Sequence, residues 1–73
     1  MTYSELLAAI DLYAMENAEH AGSLRRSVIH YKDHKSILFV KDHDLLPYLP
    51  SEDVKKHDDF GAFVWVNWTP DPP

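Results

Sequence analysis

The stretch "RRSVIHYKDHKSILFVK", residues 25–41, decides the fold, because everything else depends on whether it forms a hairpin. Alternation over residues 25–32 puts Ile29 and Tyr31 on one side and Val28, His30 and Lys32 on the other, and residues 36–41 are β-branched and aromatic. Both patterns suit strands, whose successive side chains point to opposite faces. The intervening "KDHK" lacks the Asn-Gly or Asp-Gly of the strongest two-residue turns, but Asp33 is a turn former. The sequence therefore predicts two strands, residues 25–32 and 36–41, joined as a basic hairpin.

Before the hairpin, Thr2 and Glu5 stand in the spacing of a capping box, ahead of an apolar run. Tyr3, Leu6, Leu7, Ile10, Tyr13, Ala14, Ala18 and Ala21 follow at helical spacing. Gly22 stands where a left-handed residue ends a helix, so one long helix is predicted over residues 3–21. After the hairpin, Pro47 and Pro50 exclude a central strand or long helix, and Ser51 caps one or two helical turns through Lys56. "FGAFVWVNW", residues 60–68, is the strongest strand by composition. The expected architecture is a single α+β domain over residues 1–69. One N-terminal helix packs on a small, mostly antiparallel three-stranded sheet, and residues 70–73 form a frayed, proline-rich tail.

Within that frame the chain holds more apolar surface than one helix shelters. Ile37 and Phe39 oppose Leu38 and Val40, and Phe63 and Trp65 oppose Val64 and Val66, so two strands are apolar on both sides. A half-solvated antiparallel sheet has one polar face. Two covers suit the second face: the segment 45–50, "LLPYLP", folded back upon it, or another protein chain. Trp65, Trp68, Phe39 and Tyr48 are side chains of the type that anchors interfaces, and Leu12 and Met15 add apolar surface to the back of the helix.

Charge is segregated along the chain. Residues 1–22 carry Glu5, Asp11, Glu16 and Glu19 with no Lys or Arg. Residues 24–41 carry Arg25, Arg26, Lys32, Lys35 and Lys41 against Asp33, and residues 42–59 are again acidic, starting with Asp42 and Asp44. Glu16, Glu19, Asp42 and Asp44 are the acids expected to meet a basic patch on a larger protein, such as a nucleic-acid-handling enzyme. Five basic side chains in a chain of net charge −5 make a weak phosphate footprint. Direct nucleic-acid binding, or a nuclease-like module using the hairpin's Arg25, Arg26, Lys32, Lys35 and His30, is therefore the alternative reading.

Lys-Asp-His occurs twice, at residues 32–34 and 41–43. His34 at a turn and His43 beyond the far end of a straight strand lie over about 20 Å apart at 3.3 Å per residue, too far for one metal. His43 and His57, which bracket the proline-bearing segment, form the one pair placed to converge, and no metal motif supports them. The repeat is expected to be polar punctuation at strand ends. No cysteine is present, so disulfides and thiolate zinc are excluded. With glycine only at 22 and 61, no glycine-rich phosphate loop exists, and no serine lies in a nucleophile elbow.

No catalytic residue, metal site or cofactor is assigned. The N-terminal residues lack a signal-peptide pattern and no stretch is long and apolar enough for a membrane span, so a cytoplasmic protein without membrane contact is expected. The functional expectation is a small non-enzymatic protein-binding module, an inhibitor or regulator of a larger protein. A homodimer is a second way to close the sheet. Accessory proteins of phages and mobile elements, including anti-restriction and anti-CRISPR proteins, share this small, acidic, cysteine-free style; that association is one of style only.

Overall fold

A computed structural model describes all 73 residues. The chain forms an α+β fold with two helices, α1 (Tyr3–Tyr13) and α2 (Ala18–His30), and a three-stranded antiparallel sheet of β1 (Ser36–Val40), β2 (Val54–Lys56) and β3 (Phe63–Asn67). Single 3-10 turns at Lys32–His34, Leu46–Tyr48 and Ser51–Asp53 fill the connections.

The α1 start follows the capping box. Glu5 donates its backbone N–H to the Thr2 hydroxyl at 3.2 Å, and Thr2 returns its own N–H to the Glu5 carboxylate at 2.8 Å. The one long helix expected over residues 3–21 is instead broken after Tyr13. The chain turns through residues 14–17, and Asn17 recaps it by accepting the His20 backbone N–H at 3.2 Å. Residues 25–32, read as a strand, are the second half of α2 and its exit. Ala21, Leu24 and Val28, at helical spacing, bury against the core. The basic hairpin is therefore absent, and Gly22 lies inside a helix, not beyond the end of one.

The sheet still has three strands, but the third is β2, on the other side of β3. The order is β1-β3-β2. Register pairs Ile37 with Val66, Phe39 with Val64 and Val54 with Val66. These side chains form the inner face, and the helices pack over it. One hydrophobic cluster joins Leu6, Ile10, Tyr13, Val28, Phe39, Val66 and Trp68 with Leu45 and Leu49. The segment 45–50 therefore completes the helix-side core and does not seal the second face of the sheet. Trp68, also of interface-forming type, is 4% exposed, and its indole N–H donates to the Lys32 carbonyl at 3.3 Å.

The two ends of the chain are tied together. Tyr3 donates its N–H to the Thr69 carbonyl and Thr69 donates to the Met1 carbonyl, both at 2.9 Å. Ser4 donates backbone N–H and hydroxyl to Asp71, in the tail, at 2.9 and 2.7 Å.

Candidate interaction surface

Strand alternation and register together define the outer face of the sheet. Leu38 lies opposite Trp65, and Val40 opposite Phe63, on the side away from the helices. Leu38 is 39% exposed, Val40 51%, Phe63 40% and Trp65 36%. These four form two adjacent cross-strand pairs, so the patch is continuous. Lys55 of β2 lies opposite Trp65 on the same face, and the His57 ring packs edge-on against the indole at 5.4 Å between centroids. Beyond the strands, Phe60 projects from the β2–β3 loop almost fully exposed. That loop is held by a bond from the Gly61 N–H to the Asp58 carboxylate at 2.9 Å. Gly61 has φ +67°, the left-handed region that glycine enters freely.

The expected contact residues fall in three places. Trp65 belongs to the outer face. Phe39, one residue from Leu38 and Val40, points the other way and is buried in the core at 6% exposure; it is a packing residue and leaves the surface. Leu12 and Met15, at the end of α1 and in the turn after it, are exposed. Tyr48 is half-buried beside Tyr13, their rings 6.0 Å apart. As an acceptor for the Tyr48 hydroxyl, the Glu16 carboxylate, followed by burial, pushes that phenol above its ordinary range. Glu16 lies in the α1–α2 turn and Glu19 in the first turn of α2, and Asp42 and Asp44 bracket His43; all four are exposed.

Glu19 precedes His20 in the chain, and Asp42 and Asp44 bracket His43, and these two histidines form a pair that the sequence did not signal. His20 and His43 face each other with Nε2 atoms 2.9 Å apart and rings stacked at 5.0 Å. His43 also accepts the Leu45 backbone N–H at Nδ1, at 3.0 Å. A neutral imidazole has one acceptor nitrogen. With Nδ1 occupied, the His43 proton sits on Nε2, and His20 accepts it. Burial first, and the facing His20 second, hold His43 below its ordinary pKa, while Asp44 opposes them. His20, expected near a helix C-terminus, lies in the first turn of α2. The pair anticipated from sequence, His43 with His57, does not meet. No group of three or more His, Asp or Glu converges on a point suited to a metal ion, and no helix is long and apolar enough to cross a membrane.

Sequence alternation separated Leu38 and Val40 from Phe39, and Trp65 from Val66, within each strand. It did not say which side of β1 matches which side of β3, because that depends on register. The sequence therefore groups Phe63 with Trp65, and Leu38 with Val40, without joining the two pairs into one face. No family model, curated protein or solved structure matches the chain.

Proposed function

We propose that the protein is a small, non-enzymatic binding module whose outer sheet face docks on a larger protein and regulates or inhibits it. One observation carries this reading: Leu38, Val40, Phe63 and Trp65 lie together uncovered, although the chain has Leu45 and Leu49 at hand and places both in the other core. A solvated face of an antiparallel sheet carries polar side chains. A contiguous apolar one marks a surface that another molecule covers, and a tryptophan at its centre is a strong anchor type. The His20–His43 pair is a fixed contact, with both nitrogens of His43 in hydrogen bonds, and it lies apart from the apolar outer face.

The test compares the wild-type chain with a Val40→Thr/Phe63→Thr double variant. Threonine keeps the strand preference while removing apolar surface. Both are immobilised and used to capture partners from cells that contain the natural target, after circular dichroism has established that the variant is folded. The reading requires a protein retained by the wild type and lost by the variant. Equal capture by the two chains overturns it.

A further inference from the structure

The sheet has two edges, and they differ. Lys41 N–H donates to the Ala62 carbonyl and Trp68 N–H to the Lys35 carbonyl. These bonds fix the odd-numbered residues of β1 as those bonded to β3. Ser36, Leu38 and Val40 therefore aim their backbone groups away from the sheet. The Val40 carbonyl is taken by the His43 N–H at 3.1 Å, whereas the Ser36 and Leu38 groups and the Val40 N–H find no partner in the chain. The β2 edge is only three residues long and carries Lys55 and Lys56, the usual protection of an edge. The β1 edge has no such protection along Ser36–Val40. Beside it lies a groove of about 430 Å³, lined by Tyr31, His34, Ile37, Leu38 and Trp65. The edge, the groove and the apolar outer face are thus continuous at Leu38.

We propose that the open edge of β1 is a strand-docking site for an extended, acid-ended segment of a partner protein. This rests on the reading of the outer face as a protein-binding surface and narrows it to one mode, strand addition, in which main-chain bonds give affinity and alternate side chains give selectivity. Charge selects the occupant. Lys35 and Lys41 stand at the two ends of β1, and residues 24–41 carry five cations against Asp33. A second copy pairing antiparallel about Leu38 would set Lys35 of each chain against Lys41 of the other, a like-charge arrangement that destabilises cross-strand pairs. A segment with carboxylates six residues apart matches both lysines. If apolar residues lie opposite Ser36, Leu38 and Val40, it also extends the outer apolar face by one strand.

The probe is a synthetic peptide, acetyl-Ser-Glu-Val-Thr-Val-Thr-Val-Glu-Ser-amide, with a control in which both Glu are Lys. Binding is read by Trp fluorescence and by amide NMR shifts in the wild type, in Lys35→Glu/Lys41→Glu and in Leu38→Pro. The proline removes an outward N–H and leaves the β1–β3 ladder its bonds. The Glu peptide is expected to bind the wild type with shifts centred on Ser36–Val40. Binding should weaken about tenfold with the charge-reversed variant and be lost with Leu38→Pro, and the Lys peptide should prefer the charge-reversed variant.

Three results overturn the proposal: no binding of the Glu peptide, equal binding of both peptides, or a wild-type chain of doubled mass that Leu38→Pro returns to a single chain. If the peptide fails while Val40→Thr/Phe63→Thr still abolishes partner capture, strand addition alone is lost and the face remains a binding surface.

Discussion

Replacing Gly22 by alanine gives opposite results under the two readings of the chain. If a helix ended at residue 21 with Gly22 left-handed behind it, a Cβ there would cost about 1 kcal/mol or more. In the structure Gly22 lies inside α2, five residues beyond the Asn17 cap. A Cβ built on it meets only the tip of the Arg26 guanidinium, 3.8 Å away, at ordinary contact distance on a flexible side chain. No steric penalty opposes the gain in helix propensity, about 0.8–1.0 kcal/mol for alanine over glycine in a helix interior, part of which arises from the smaller entropy of the unfolded chain. The expected stabilisation is about 0.5–1 kcal/mol. For a chain of this size 1 kcal/mol moves the midpoint by about 4–8 °C, so thermal melting followed at 222 nm should show a Tm raised by roughly 3–6 °C. A lowered Tm would refute the placement of Gly22 within α2, and an unchanged one would refute the argument that its missing side chain weakens that helix.

Other perturbations test the remaining elements. Asn17→Ala removes the acceptor of the His20 N–H and should cost about 1 kcal/mol in urea unfolding. Val66→Ala and Val40→Ala make the same chemical change on opposite faces of one sheet. Val66 is fully buried and Val40 half-exposed, so the first should cost about 2 kcal/mol and the second under about 1 kcal/mol in the same unfolding measurement; equal costs would mean that the outer face is covered in the isolated protein. His43, its folded pKa lowered from the ordinary 6.5, contributes stability that is fully present above that value. The contribution is lost as the pH falls through the lowered folded value, because the unfolded chain then binds the proton more readily. Asp44 opposes the shift, while His20 faces the ring and Tyr13 and Phe39 pack beside it. The loss of stability below pH 6.5 should therefore be smaller in His43→Ala than in the wild type.

What the sequence made legible was local. The Thr2–Glu5 box needs only residues three apart, and β1 and β3 announce themselves by composition. The break between the helices was hidden because Ala14, Ala18 and Ala21 carry the apolar stripe of α1 straight through the turn. Asn17, moreover, is followed three residues on by His20 and not by the Glu or Gln of a full capping box. In residues 24–32 two periodicities coexist. Val28 is buried and Ile29 half-exposed, as both a strand and a helix require, and the short β-branched run Val28–Ile29 favours the strand. A strand would put Leu24, Arg26 and Val28 on one face; Leu24 and Val28 are buried while Arg26 is exposed, which selects the helix, and that comes from tertiary packing. β2 is three residues long and exists through its pairing with β3, a non-local contact with no sequence signature of its own.

The candidate surface was legible to the same degree. That both faces of β1 and β3 were apolar followed from alternation; which face the helices took did not. This distinction changes the electrostatics of the proposed interaction. Along the sequence the acids looked like the contact residues, since Glu16, Glu19, Asp42 and Asp44 lie in blocks of one sign. In the fold Asp44 acts on His43 of the His20–His43 pair and Glu16 meets Tyr48, beside the core-completing segment 45–50. The uncovered apolar face instead has Lys35 and Lys41 at the ends of β1 and Lys55 opposite Trp65, with Asp58 and Asp59 in the β2–β3 loop, on the side of β3 away from the open edge. A partner approaching the open edge meets cations first. Complementarity at a rim sets encounter rate and selectivity more than final affinity. Added salt should therefore slow association with an acidic partner at this edge while leaving its dissociation, set by Leu38, Trp65 and the main-chain bonds, nearly unchanged. Association that quickens with salt would place the partner on the acidic side of the molecule instead.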